Sequence, residues 1–233
     1  MLILGQGALT RDDGAEILGL ARKIAEGRGM IDAQSGWNGF NVLHTAAARV
    51  GGLDLGFVPG KGGRDTSGVL DGAGDGSIEV VYLLGADEID TDRLGDAFVI
   101  YQGHHGDRGA HRAHVILPGA AYTEKNATYV NTEGRVQFAE RAVFAPGDAR
   151  EDWTILRALA DALKVEVGFD SFAELQANMI REVPALGEEG LAAYGDLPKG
   201  GSTARAEGRM TAYPIKDFYL TNPIARASAV MQQ

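Results

Sequence analysis

Cysteine is absent from the 233 residues, which excludes disulfides, thiolate catalysis, cysteine-ligated zinc and cysteine-held iron–sulfur clusters within this chain. Long apolar runs are missing too: none approaches the roughly 18–20 residues that a membrane-crossing helix needs, so direct membrane insertion is not expected. Positive charge is scarce. Lys and Arg total 22 against 32 Asp and Glu, and the formal charge of −10 repels phosphate backbones, with no local basic run to offset it. Nucleic acid is therefore not expected as a partner. The opening MLILGQG has no basic leader and reads as a strand rather than a signal peptide. A start methionine set directly on a strand is expected for a piece of a longer chain.

What is present fits a globular fold. Hydrophobic residues make up 45% and charged residues 23%, and the length suffices for one large domain or a domain plus an extension. Glycine, at 33 residues, is about twice its usual share and implies many tight turns. A short strand at Leu2–Leu4 leads to a helix beginning at Asp12, with Ile17, Leu20, Ala21 and Ile24 on one face and Gly27 and Gly29 closing it. The segment WNGFNVLHTAAARVGG offers a second helix through Val42, Leu43, Ala46, Ala47 and Val50. The glycine-rich residues 51–78 are expected to lie in loops. EVVYLLG, AFVIYQG and AHVILPG are continuous apolar runs ended by glycine, the form taken by buried parallel strands. Asp148 with Glu151, and Ser171 with Glu174, mark two helix starts of capping-box type. Short buried strands alternating with amphipathic helices predict an α/β domain, a largely parallel sheet flanked by helices, over residues 1–185. Residues 186–233 read as an irregular extension whose end, YPIKDFYLTNPIARASAVMQQ, is an extended arm. Phe218, Tyr219, Leu220 and Ile224 are its interface candidates, burying apolar surface on the domain or a partner.

Few stretches suggest chemistry. LGQGALT places Gly5 and Gly7 as in a dinucleotide fingerprint, but Thr10 occupies the third glycine position. GFVPGKGG is one residue short of a phosphate loop and has Gly62 where magnesium would need a hydroxyl. Ser67 lacks the flanks of a nucleophile elbow. Four of the five histidines, His104, His105, His111 and His114, crowd into YQGHHGDRGAHRAHVILPG. Gly103, Gly106 and Gly109 argue against a helix that would aim them at one metal, so a polar connection without metal is expected. No catalytic residue is assigned.

The stretch HVILPGAAYTEKNATYVNTEGRVQ, followed by APGDAREDWTILRALADAL, resembles the molybdopterin-oxidoreductase superfamily. Leu117-Pro118, Glu124, Asn131, Glu133-Gly134-Arg135, Gln137, Pro146-Gly147 and Asp152-Trp153 carry the likeness. An Asp commonly precedes the VILP strand in that superfamily, and His114 departs from it. Within the superfamily, WNGFNVLHTAAARVGGLDLGF and the terminal DFYLTNPIARAS are similar to the large iron–sulfur subunits of NADH–quinone oxidoreductase (respiratory complex I). That resemblance implies a molybdopterin-oxidoreductase-like fold without molybdenum. Asn131, Glu133 and Arg135 would then be vestigial pterin-pocket residues, and this chain would hold no cofactor. Iron–sulfur clusters are expected only elsewhere in the parent subunit. The implied partners are the other peripheral-arm subunits and the cluster-bearing N-terminal part of the same subunit, on the cytoplasmic side of the bacterial inner membrane. The alternative is a fragment of a catalytic molybdopterin enzyme of formate dehydrogenase type, with Asn131, Glu133, Arg135 and the histidine loop lining its pocket. A free-standing nucleotide-binding domain is the third reading.

Overall fold

The computed structural model describes residues 1–32, 34–46, 49–191, 217 and 219–233. The chain forms two compact units, each assembled from separated segments: Met1–Phe57, Thr128–Phe138 and Met179–Ile215 in one, and Val58–Ala127, Ala139–Asn178 and Lys216–Gln233 in the other.

In the first unit Leu2–Gly5 pairs in parallel with Phe40–Leu43, Leu2 opposite Phe40 and Gly5 opposite Leu43. The helix Gly14–Gly27 lays Ala21 and Ala25 on Phe40, with Leu2, Leu4, Leu18, Met30 and Ile31 around them. It ends in a Schellman turn. Gly29 takes φ +60°, its N–H donates to Glu26 O at 3.1 Å, and Met30 N–H donates to Ala25 O at 2.8 Å. The helix expected across WNGFNVLHTAAARVGG is a correction: Trp37–Asn38 and Phe40–Leu43 are strands, and the helix is the shorter Arg49–Asp54. A short apolar run satisfies either period, and pairing with Leu2–Gly5 decides for strand. The Asn38 side chain also accepts from Phe40 N–H at 2.9 Å, a local bond that competes with a helix. A second small core joins Val130, Val136 and Leu186 beside Val50, Met179 and Val183, under an antiparallel sheet ordered Gly190–Leu191, Arg135–Ala139, Ala127–Val130.

In the second unit Val80–Leu84, Phe98–Gly103 and Val115–Pro118 form a three-stranded parallel sheet in that order, the strands expected from their apolar runs. Its core is Val81, Leu83, Val99 and Tyr101 packed on Leu70, Ala73, Leu94 and Ala97. Leu70 and Ala73 come from a helix, Thr66–Gly74, inside the stretch expected to be loop. The signal was Asp65, whose side chain accepts from Gly68 N–H at 2.8 Å as an N-cap. Burial of Leu70 and Ala73 outweighs the helix cost of the glycines. The Asp152–Ala162 helix starts with Glu151 as N-cap but without a side-chain cap bond, so the box expected from Asp148 and Glu151 does not form. The Glu151 carboxylate instead accepts from the Trp153 indole N–H at 3.0 Å. For the Phe172–Glu182 helix, Ser171 Oγ accepts from Glu174 N–H at 3.2 Å, while Glu174 turns to Asp170 N–H at 2.6 Å. Half of the expected box is made. The arm is not extended throughout either. Pro223–Ala227 is a short helix with Asn222 Oδ1 accepting from Ala225 N–H at 2.9 Å and proline at its first turn.

Candidate functional site

Among the described residues the buried polar side chains are Asp87 and Gln102, both at the carboxyl end of the parallel sheet. Asp87 follows the Val80–Leu84 strand and accepts from the Tyr101 hydroxyl at 2.9 Å and from Gly109 N–H at 3.0 Å. The Tyr101 oxygen also lies 3.1 Å from the His105 carbonyl. Burial first, then the bond to Asp87, pushes the Tyr101 phenol well above its ordinary value, so it stays a proton donor. One residue along the strand, on the opposite face, Gln102 accepts from the Tyr82 hydroxyl and donates to Asp152 Oδ1 at 2.8 Å. Asp152 opens the Asp152–Ala162 helix, where a carboxylate is favoured, and also pairs with Lys125. Every polar group in this network has a partner, which makes it a fastening of strand ends, loop and helix.

The histidines divide by role. The five-residue helix Arg108–Arg112, capped by Asp107, corrects the expectation of no helix and carries His111. His104 and His105 bring their Nδ1 atoms to 2.8 Å with the rings edge to face, and desolvation, then His105, holds His104 below its ordinary value. His114 Nδ1 accepts from Val99 N–H at 2.9 Å, and its ring stacks on Phe98 at 4.9 Å. No group of three or more His, Asp or Glu side chains is placed to hold a metal among the described residues. His114→Ala should therefore lower stability by about 1–2 kcal/mol, from one lost hydrogen bond and the stack. His104, His105 and His111 should tolerate exchange for Asn with little change, and urea denaturation of the four variants separates the two groups.

Asn131, Glu133 and Arg135 sit together in one turn of the first unit. Asn131 Oδ1 accepts from Glu133 N–H at 3.1 Å and Arg135 N–H at 2.9 Å, and Arg135 Nε donates to Glu133 Oε1 at 2.7 Å. Gly134 at φ +83° closes the turn. The polar groups of this trio are spent on one another. Beside Asn131 opens a cavity of about 400 Å³ lined by uncharged side chains, including Thr45, Tyr129 and Gln137, and by His44, whose buried Nδ1 has no partner among the described residues. Desolvation, with Arg49 nearby, holds His44 below its ordinary value and keeps it neutral. A phosphate-bearing pterin would want free cations here, and the lining offers none. These residues do not fit that group.

His44 and His104 also set a pH dependence. Their folded values lie below the ordinary 6.5, so their contribution to stability is complete above that value and is lost as pH falls through the folded ones. The melting temperature should therefore drop between pH 7.5 and 5.5. The drop should shrink in a His44→Asn, His104→Asn double variant.

The arm is fixed by charge. Arg226, from the Pro223–Ala227 helix, donates Nε to Asp107 Oδ2 at 2.5 Å and a terminal nitrogen to Glu88 Oε1 at 3.0 Å. The side chains of Arg226 and Asp107 are 26% and 16% exposed, so this pair is poorly screened. Desolvation opposes ionisation of Asp107, but its bond to Arg226 wins and holds the carboxyl below its ordinary value. Of the interface candidates, Tyr219 is exposed, Leu220 and Ile224 are half-buried, and Phe218 lies outside the described residues. Sequence reasoning missed Arg226, and the Asn-Pro that starts its helix was the available signal.

Comparison with known proteins agrees with this architecture. The family profile described as molybdopterin oxidoreductase matches residues 1–162. The chain belongs to that family. A second profile, for the C-terminal region of the NADH-ubiquinone oxidoreductase G subunit, matches residues 188–233. Relatives include the NADH-ubiquinone oxidoreductase 75 kDa subunit of Reclinomonas americana, 41% identical over 239 aligned residues that cover 99% of this chain and 33% of the relative. The NADH-quinone oxidoreductase G subunit of Rickettsia bellii is 40% identical over 232 residues, 99% of this chain and 32% of its own length. That of Rickettsia typhi is 44% identical over 182 residues, 78% and 25% respectively. The chain spans about a third of the length of the first curated relatives it matches. No helix among the described residues is long and apolar enough to cross a membrane.

Proposed function

We propose that this chain is a cluster-free structural part of the large iron–sulfur subunit of an NADH–quinone oxidoreductase. It would hold neighbouring parts of the peripheral arm in place while electrons pass from NADH to quinone. The observation that carries this reading is the seating of the C-terminal segment, the part within the second profile's match over residues 188–233, on the α/β unit through Arg226, Asp107 and Glu88. The meeting of the two profiles near residue 185 supports the division into a molybdopterin-oxidoreductase-like domain, 1–185, and an extension, 186–233. The internally satisfied Asn131–Glu133–Arg135 turn supports a pterin-enzyme shape without pterin chemistry. Iron–sulfur clusters would sit on cysteines of the parent subunit outside this chain, which has none. The partners would be that cluster-bearing part and the other peripheral-arm subunits, with Phe218, Tyr219, Leu220 and Ile224 at an interface, on the cytoplasmic side of the bacterial membrane. The test is metal analysis of the purified full-length subunit with NADH–quinone turnover of membranes lacking residues 217–233. Iron without molybdenum, together with lost assembly and turnover, is the expected result. Stoichiometric molybdenum would favour a catalytic molybdopterin enzyme and overturn the proposal.

A further inference from the structure

The three-stranded parallel sheet is covered on one face only. Val81, Leu83, Val99 and Tyr101 point to the side occupied by the Thr66–Gly74 helix and the Thr91–Leu94 turn, against which Ala110 and Ala113 also pack. Both crossovers, from Leu84 to Phe98 and from Gly103 to Val115, supply elements to that same side. Strand alternation sends Val80, Leu84, Phe98 and Val115 to the opposite face, where they are 57%, 47%, 44% and 39% exposed. The register places them together: Val80 is opposite Phe98, Leu84 opposite Gln102, and Val115 opposite Ile100. No side chain that these strands turn to this face carries a charge. Its one strongly polar group, Gln102, is fully buried and already satisfied by Tyr82 and Asp152.

Parallel sheets occur almost only with both faces covered, because their strands are apolar on both sides. An uncharged apolar patch of this kind is a docking surface. We infer that this face receives an apolar helical layer contributed by the parent polypeptide from its residues outside this chain. Two observations select that occupant. The relatives are about three times as long as the stretch that matches them, so roughly two thirds of such a subunit lies outside this chain. The absence of charge on the face suits a permanent intramolecular layer, whereas a reversible partner would need a polar rim to set its register. The inference rests on the proposed membership in a longer subunit.

Hydroxyl-radical footprinting of the unmodified proteins tests it, comparing this chain alone with the full-length subunit in its native assembly. Oxidation of Phe98 and Leu84 should fall by about fivefold in the full-length subunit, as these exposed side chains become core. A photoreactive residue at Val80 should cross-link within the same polypeptide, to peptides outside residues 1–233. Unchanged oxidation in the full-length subunit would overturn the inference. So would protection in the isolated monomer, protection that grows with the concentration of this chain, or a cross-link to another subunit. Failure of the underlying reading is separate: it would show as a full-length subunit that does not co-purify with NADH-oxidising activity, whatever the footprint.

Discussion

Replacing Tyr101 by Ala should remove about 3–5 kcal/mol of stability, read as a shift of the urea midpoint at unchanged slope. The ring is 2% exposed in the middle of the core that joins the parallel sheet to the Thr66–Gly74 helix, so truncation leaves a cavity that its neighbours cannot fill. Tyr101→Phe keeps the ring and isolates the hydroxyl. It should still cost about 2–3 kcal/mol, because the Asp87 carboxylate stays buried with only Gly109 N–H as a hydrogen-bond donor. Gly109→Ala approaches the same point from the other side. A methyl there would meet Asp87 Oδ1 and the Tyr101 ring at 2.8 Å, a crowding worth about 1–3 kcal/mol. The losses from Gly109→Ala and Tyr101→Phe should not add, since both act on one carboxylate, and a double-mutant cycle measures the shared part. Additive losses would show that Asp87 is held by other means.

Arg226→Met should release the arm while leaving the sheet folded. It removes both ion pairs and strands Asp107, whose side chain is 16% exposed, with only the Arg108 N–H as its bonded donor. Losing a poorly screened charge-assisted bond costs about 2–3 kcal/mol, and Glu88, largely in solvent, adds little. Local opening of residues 222–228 should rise by about 30–150-fold in hydrogen exchange, with early protease cuts near Asn222 and no change in the core strands. Membranes carrying the variant should lose NADH–quinone turnover in proportion to the lost arm docking. In wild type the clamp has the opposite pH sense from a histidine that gains a partner. Because the folded value of Asp107 is lowered, the contribution is complete above the ordinary carboxylate range and fades only in acid. Unaltered exchange over residues 222–228 in the variant would show that apolar contacts of Leu220 and Ile224 hold the arm.

The parallel strands were legible because runs such as VVYLL and FVIYQ have one reading when glycine ends them and a helix would be too short. The helix Gly14–Gly27 was legible from its spacing and its Gly29 stop. Phe40–Leu43 was not, since four apolar or neutral residues fit either period and only a distant partner, Leu2–Gly5, makes them a strand. Thr66–Gly74 was hidden by its glycines, whose local cost is visible in sequence while the burial that offsets it is not. The Asn131, Glu133 and Arg135 grouping was readable because three spaced residues in one turn meet locally. Asp87, Tyr101 and Gly109 were not, because what joins them is the sheet.

The two units are built from alternating pieces of one polypeptide, which passes between them after residues 57, 127, 138 and 178 among others. On the ribosome, neither unit can therefore close while only the first half of the chain has emerged. The parallel strands must wait for the Asp152–Ala162 helix, and the Val130–Val136 hairpin for Leu186. A nascent chain of this design exposes apolar strand edges for most of its synthesis, so its cellular yield should depend on chaperone supply more steeply than its final stability suggests.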